Sequence, residues 1–425
     1  MKFHSWLATC SASSSAATCP ALRGHPVEPG SVTSSLSTET STSISTNDSL
    51  ATNLSIQKLP SLQLNLHGCR SPDLSSHCLL ASVPPLEPTL PVTSLAIRGD
   101  LLYAASSHLI RVYRLPKLSL VDSFQGNDPS AGSIKSFAFT NSATVLTAHQ
   151  DGKVRVWEIM PSRGHRVIAT LPTFADRLMN FMLPGNYVDV RRHRKCLWIE
   201  HTDAVTALAV HKGSIYSVSW DRSMKTWRGS DLRCSESVKA AHQDAINALA
   251  VGADGVVYTG SADGKIRVWV RAGGGEGGKC PRHILVTTAE KHKSAINALA
   301  LSEDGTMLFS GACDRSIVLW AREDTAEHLR AIGALRGHRK AILCLISVGG
   351  ILISGSADRT VRAWRGEGGR FGCLAVMEGH VKGVKSLGGV VGENGVVLVA
   401  SGSLDGEIRV WRVSGSNTLL TKHHF

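Results

Sequence analysis

Asp221-Arg-Ser-Met-Lys-Thr-Trp227 decides the fold, because the frame it sets recurs along the chain. The other copies are Asp151-Gly-Lys-Val-Arg-Val-Trp157, Asp263-Gly-Lys-Ile-Arg-Val-Trp269, Asp314-Arg-Ser-Ile-Val-Leu-Trp320, Asp358-Arg-Thr-Val-Arg-Ala-Trp364 and Asp405-Gly-Glu-Ile-Arg-Val-Trp411. In each, Asp precedes Trp by six residues. A seventh, degenerate copy ends in Leu109-Ile-Arg-Val-Tyr113. Apolar and polar residues alternate ahead of the aromatic, which is the period of a half-buried strand. Each Asp-Gly or Asp-Arg sits where a two-strand turn needs a positive φ. A second short apolar strand lies upstream, as in Ala245-Ile-Asn-Ala-Leu-Ala-Val251. The tightest Trp-to-Trp spacings, 42 to 51 residues, fit one four-stranded unit each. Repeats that cannot bury a face alone must stack, so seven of them predict an all-β ring.

Two more residue types travel with the frame. Five copies carry a His four residues before the Val or Ile of their first strand: His201, His242, His292, His338 and His380. A hydroxyl stands four residues before the matching Asp: Ser217, Thr259, Ser310, Ser354 and Ser401. This combination resembles the WD40 family. The resemblance implies a seven-bladed β-propeller over residues 77–425, with a structural tetrad in each complete blade. The tetrads would be Asp221–His201–Ser217–Trp227, Asp263–His242–Thr259–Trp269, Asp314–His292–Ser310–Trp320, Asp358–His338–Ser354–Trp364 and Asp405–His380–Ser401–Trp411. Their chemistry suits burial, since carboxylate, imidazole, hydroxyl and indole N–H can satisfy one another in a chain. The second copy has Asp151, Thr147 and Trp157 but no matching His, and the first lacks both Asp and Trp. Both blades are therefore expected to be less rigid. Cys78-Leu-Leu-Ala-Ser-Val83 resembles the outer strands of other repeats and is expected to close the ring by completing the last blade.

One stretch narrows the resemblance. Asn186-Tyr-Val-Asp-Val-Arg-Arg-His-Arg-Lys-Cys-Leu-Trp-Ile-Glu-His-Thr-Asp-Ala-Val205, with Ser217-Val-Ser-Trp-Asp-Arg-Ser-Met-Lys-Thr-Trp227, is similar to plant WD40 proteins related to JINGUBANG. The resemblance implies a non-enzymatic regulator of plant growth and development, cytoplasmic or nuclear. It names no partner.

Composition bounds the rest. Of 425 residues, 43% are apolar and 19% charged, the balance of a globular protein. No apolar run approaches the 18 residues or so that a membrane span requires. Residues 1–76 carry four basic and four acidic side chains, so the net charge of +12 sits wholly on residues 77–425. Such a body attracts acidic or phosphorylated protein partners, with nucleic acid or anionic lipid as the alternative. From Met1 to Lys58, 22 of 58 residues are Ser or Thr, and apolar periodicity is absent. That composition cannot offset its ordering entropy, so residues 1–76 are expected to be disordered. A phosphorylatable tail and a transit peptide both remain open for it. The ten cysteines form no Cys-x-x-Cys pair and read as free thiols.

Candidates for chemistry fall away. The His and Asp residues recur once per blade, so they cannot converge on one ion, and no metal, cofactor or small-molecule substrate is expected. Gly273–Lys279 imitates the start of a phosphate-binding loop, but Cys280 and Pro281 follow where a hydroxyl and a helix are needed. No nucleophile–base pair survives, so the chain is read as a binding protein and not an enzyme. A ubiquitin-ligase substrate receptor is the alternative, although no repeat carries Trp-Asp-x-Arg.

Surfaces are the better candidates. Trp157 and Trp227 lie 70 residues apart, and the excess falls within about 161–195. That insertion holds an apolar, helical-looking run, Phe174–Leu183, and the basic cluster Arg191, Arg192 and Arg194, suited to phosphate or carboxylate. Trp220 precedes its Asp where other copies have smaller residues, and is expected near the rim of the upper face, beside Arg222. Loops after the tetrad His carry Asp203 and Asp244 in two copies but Arg339, Lys340 and Lys382 in two others. A face with two signs of charge would orient a partner.

Overall fold

The computed structural model describes residues 59–61 and 77–414, apart from 86–89, 127, 142, 161–163, 192–193, 274–281, 323–327 and 368–369. It holds seven four-stranded antiparallel sheets and a two-stranded hairpin. Blade 1 comprises Val92–Arg98, Leu101–Ser106, Leu109–Arg114 and Ser119–Gln125. Blade 2 runs from strand Ile134–Asn141 to strand Gly164–Leu171; blade 3 comprises Val205–His211, Ser214–Ser219, Met224–Arg228 and Cys234–Val238; blade 4 runs from Ile246–Val251 to His283–Glu290, blade 5 from Ile296–Leu301 to Leu329–Leu335, and blade 6 from Ile342–Val348 to Arg370–Met377. The first strand of each blade packs on the first strands of its two neighbours, and Val384–Val391 of blade 7 returns to Val92–Arg98 of blade 1. The ring is closed.

The last blade is assembled from both ends of the array. Its first three strands are Val384–Val391, Val397–Ser403 and Ile408–Val413. The fourth is His77–Val83, which pairs antiparallel with Ile408–Val413, from His77 opposite Val413 to Val83 opposite Ile408. The expected closing strand is thus in place, and it removes an open edge that would otherwise template aggregation.

The recurring frame has a packing reason. Trp157, Trp227, Trp320 and Trp364 are among the largest fully buried side chains. Each sits on a third strand where the pairing with the fourth slips by one residue, as between Thr226 and Trp227, a bulge that sharpens strand twist. Blades approach closely enough to exclude side chains at four second-strand positions, Gly260, Gly311, Gly355 and Gly402. A Cβ on Gly311 would meet Ile342 of the next blade at 2.5 Å, and one on Gly402 would meet Val92 at 2.4 Å.

Residues 59–61, which the composition assigns to the N-terminal segment, are ordered on blade 5. Ser61 bridges in parallel to Ala334, on the outer strand Leu329–Leu335. Ala334 N–H donates to the Pro60 carbonyl at 3.1 Å, and Leu59 joins the core beside Trp320. The disorder expected over the rest of 1–76 lies outside the described residues, as does the glycine run after Gly273. None of the six described cysteines is joined in a disulfide.

Candidate functional site

Four blades contain the tetrad as the spacing predicts. In blade 6, Trp364 Nε1–H donates to Ser354 Oγ at 2.8 Å, and Ser354 meets His338 Nε2 at 2.8 Å. His338 Nδ1 lies 2.8 Å from Asp358 Oδ2. The same links run through His201, His242 and His292, with every contact between 2.7 and 3.0 Å. A carboxylate only accepts, so the histidine Nδ1–H donates to it, and Nε2 is left to meet the hydroxyl that takes the indole N–H. Burial, against the pull of Asp221, depresses the His201 pKa. Burial alone would raise the Asp221 pKa, but His201, Ser223 and the Thr202 backbone N–H together hold it well below the ordinary carboxylate range. Every donor and acceptor is spent inside the blade. These residues lock turns; they are not poised to act on a ligand.

Blade 7 departs from the expected assignment. His380 Nδ1 contacts Glu407 Oε2 at 3.1 Å, while Asp405 accepts from the backbone N–H groups of Lys382 at 3.0 Å and Glu407 at 2.9 Å. Glu407 stands where the other tetrad blades have Ser223, Lys265, Ser316 and Thr360. Its longer side chain reaches the imidazole and takes the place of Asp405. His380, Asp405 and Glu407 form the one group, among the described residues, with three metal-type donor atoms within 4.8 Å. Glu407 is also bound by Arg409 at 2.7 Å, so positive charge already occupies the carboxylate.

Blade 2 improvises. Trp157 donates to Thr147 at 2.8 Å, and Thr147 meets His149 Nε2 at 2.7 Å. This His comes from the second strand itself and not from the preceding loop. Its Nδ1 is buried without a partner. Burial and the Arg155 charge push its pKa down to about 3. Asp151, free of the imidazole, pairs with Arg155 at 2.9 Å. Blade 1 has no tetrad. Register places Ala104 at the hydroxyl position and Tyr113 at the Trp position.

The upper-face candidates are set out by the turns that carry the tetrads. Arg222, Arg339, Lys340 and Lys382 are exposed, at the ends of blades where the tetrad His and Asp meet. Trp220 is half-buried. Its Nε1–H donates to Asn247 Oδ1 at 3.2 Å, and the Lys135 ammonium lies 5.6 Å from its ring centroid. It therefore bridges the first strands of blades 2 and 4, with only part of its surface open. Burial and the charge of Lys385 lower the Lys135 pKa to about 8. Asp203 and Asp244 each accept the N–H of the following residue at 2.7 Å, so part of the charge difference between loops serves the turns.

The insertion holds the most exposed apolar surface. Helix α1, Phe174–Phe181, follows the outer strand of blade 2 and is capped by Thr173, whose side chain accepts from Asp176 N. A short 3-10 turn, Pro184–Asn186, leads to the hairpin Tyr187–Arg191 and Arg194–Leu197. Arg191 and Arg194 pair across that hairpin; Arg192 lies outside the described residues. An amphipathic helix ordinarily buries its apolar stripe. Helix α1 does the reverse. Asp176 is buried and accepts from Cys234 N–H on blade 3 at 3.0 Å. Asn180 Oδ1 accepts from Trp198 Nε1 at 2.9 Å, and Arg177 pairs with Glu200 at 3.3 Å. Outward stand Phe174 at 80% exposed, Leu178 at 56%, Phe181 at 62% and Met182 at 75%. Positions 174, 178, 181 and 182 lie on one helical face. A contiguous apolar face in water marks a surface that another molecule covers.

Comparisons with known proteins agree with this architecture. The family described as "WD domain, G-beta repeat" matches residues 118–158, 234–270, 283–321, 329–365 and 371–412. Protein ROOT INITIATION DEFECTIVE 3 of Arabidopsis thaliana is 26% identical over 229 residues, 53% of this chain and 46% of that protein. Sterol regulatory element-binding protein cleavage-activating protein of Xenopus laevis is 35% identical over 109 residues, 25% of this chain and 8% of that protein. The chain thus spans less than half the length of either relative. The five matched repeats, the closed ring of seven blades and the His–hydroxyl–Trp links in six of them place the chain in the WD40-repeat family.

Proposed function

We propose that the protein is a non-enzymatic interaction scaffold with a regulatory role, and that helix α1 of the insertion is its principal docking element. The observation that carries this reading is the inverted helix, whose polar side is spent on Cys234 of blade 3 and on Trp198, and whose Phe174, Leu178, Phe181 and Met182 face outward. WD40 propellers act by binding, and the rigid ring supplies a fixed platform for such an arm. The partner is a protein with an apolar groove, acidic or phosphorylated at its margin to suit Arg191, Arg192 and Arg194. Trp220, Arg222, Arg339, Lys340 and Lys382 form a second, upper-face contact area. The plant relative named for root initiation, with the similarity to JINGUBANG-type proteins, supports a role in plant growth or development, in cytoplasm or nucleus.

The test is recovery of partners from plant extract with the full chain, comparing wild type with Phe174→Ser/Leu178→Ser/Met182→Ser and with Trp220→Ala/Arg339→Glu. All three must melt alike. Loss of a discrete protein with the first variant supports the arm. Identical recovery with wild type and both variants contradicts it. Exposed Phe, Leu and Met beside an arginine hairpin also suit an anionic membrane surface. Flotation with phosphatidylserine vesicles, abolished by the same triple substitution, would favour that second reading.

A further inference from the structure

We infer that blade 1 carries an oxyanion pocket, opened by the loss of its tetrad, that takes the phosphate of a phosphoserine or phosphothreonine side chain. This inference is independent of the arm, and its probe needs no partner protein.

The argument starts from one register position. In the third strand of each blade, the residue opposite the tetrad hydroxyl is basic in six cases: Arg111, Arg155, Lys225, Arg267, Arg362 and Arg409. Most of these cations are spent. Arg155 pairs with Asp151 at 2.9 Å, and Arg409 with Glu407 at 2.7 Å. Lys225 donates to the Trp198 carbonyl at 2.6 Å, and Arg267 to that of Ala241 at 2.7 Å. Arg362 lies over the Trp364 ring and reaches the Cys373 sulfur. The Arg111 side chain has no hydrogen bond or ion pair among the described residues. Its half-buried guanidinium instead borders a cavity of about 200 Å³ on the upper side of blade 1.

The lining explains what the cavity would hold. Ser106, His108 and Gln125 join Arg111 around it, with Leu90 and Gly406 on the remaining side. A hydroxyl, an imidazole, a carboxamide and a guanidinium fork supply several donors, and no carboxylate is among the described lining residues. Asp405, next to Gly406, turns its two oxygens to the Lys382 and Glu407 backbone N–H groups. A narrower extension, sharing Ser106, Arg111 and Gly406, continues between Ala104 and Tyr113. That is the position where the other blades place their hydroxyl and Trp. Without hydroxyl, imidazole and indole, the blade leaves both the space and the cation unused. A guanidinium fork is the group best matched to a phosphate or carboxylate edge, and the additional donors on other sides favour tetrahedral phosphate over planar carboxylate. The cavity opens to the surface, as a phosphorylated side chain on an extended peptide requires.

Calorimetric titration of the full chain tests this with acetyl-Gly-phosphoserine-Gly-amide, its unphosphorylated counterpart and inorganic phosphate. The phosphopeptide should bind and the unphosphorylated peptide should not. Arg111→Gln should weaken phosphopeptide binding by about tenfold or more, the range for losing a charge-assisted pair. Arg114→Gln, which removes an exposed cation nearby, should leave it unchanged. Arg111→Lys keeps the charge without the fork, should give an intermediate affinity, and serves if the Gln variant fails to fold. Equal binding by wild type and Arg111→Gln, or no binding by wild type, overturns the site. Inorganic phosphate binding as tightly as the peptide through Arg111 would reassign the pocket to free phosphate and overturn the side-chain assignment.

Discussion

Blades 3 to 6 and blades 1 and 2 share one backbone plan but spend their polar groups differently. In the first set, indole, hydroxyl, imidazole and carboxylate form an unbroken chain of hydrogen bonds. In blade 2 the chain stops at His149, whose Nδ1 is buried and unpartnered. In blade 1 it never starts, because Ala104 and Tyr113 occupy the hydroxyl and Trp positions. The seven sheets nevertheless form in all cases. The tetrad is therefore a lock added to a blade that strand pairing and inter-blade packing already specify, and its absence frees groups such as Arg111 for other work.

The widest test of that view removes strand pairing itself. Blade 7 has its polar network, but its fourth strand is His77–Val83. Deleting 77–83 exposes the edge Ile408–Val413 and should abolish the single cooperative melt seen by calorimetry, tetrad or no tetrad. An unchanged melt would mean that the network alone holds the blade. A smaller effect separates the two sets directly. Ser354→Ala strands both the Trp364 N–H and His338 Nε2, and should cost about 2–3 kcal/mol. Ala104→Ser adds a hydroxyl with no tetrad partner and should change denaturant midpoints by less than about 1 kcal/mol. Comparable shifts for the two would erase the distinction.

Blade 7 allows a finer comparison within one turn. Glu407→Gln removes the carboxylate at His380, whereas Asp405→Asn alters only backbone-capping contacts. Glu407→Gln should therefore destabilise more, by about 1 kcal/mol or more; the reverse order would restore Asp405 as the tetrad acid. The smallest effect comes from histidines in blades 2, 3 and 7. Burial depresses the pKa of His149, to about 3, and those of His201 and His380. Below about pH 6.5 the unfolded chain binds protons at these sites that the folded ring refuses, so stability falls as pH drops from 6.5 toward 3. The depressed carboxylates, Asp263 at about 2 among them, extend the loss on the acid side. Melting temperatures that stay level or rise between pH 7 and pH 5 would contradict neutral, buried imidazoles.

Much of this architecture is legible in the residues. The Asp-to-Trp frame repeats because each blade must bury one indole at one turn, and that constraint is local. The closing strand is legible because Cys78–Val83 has the alternation of the other outer strands. Three features are not. Glu407 lies two residues beyond the frame's Asp, and only the folded turn shows that its longer side chain reaches His380. His149 reaches Thr147 from within a strand, whereas the other tetrad histidines come from a preceding loop. The run Phe174–Leu183 is legible as an apolar, helical-looking part of a candidate docking insertion, but not which face it turns outward, since amphipathic helices usually turn the apolar face inward. Its docking partners, Cys234 N–H and Trp198, lie 58 and 18 residues away from Asp176 and Asn180 in the chain, so the inversion is invisible before the blades assemble.

The central claim, that the outward face of helix α1 is covered by a specific partner, is tested most directly by photocrosslinking in living plant cells. A benzoylphenylalanine at position 178 or 182 would be compared with one at Val121, an exposed site on the outer strand of blade 1. The account predicts the same discrete protein crosslinked from 178 and 182 and absent from 121. Crosslinks that match at all three positions, or none from the helix, would contradict it.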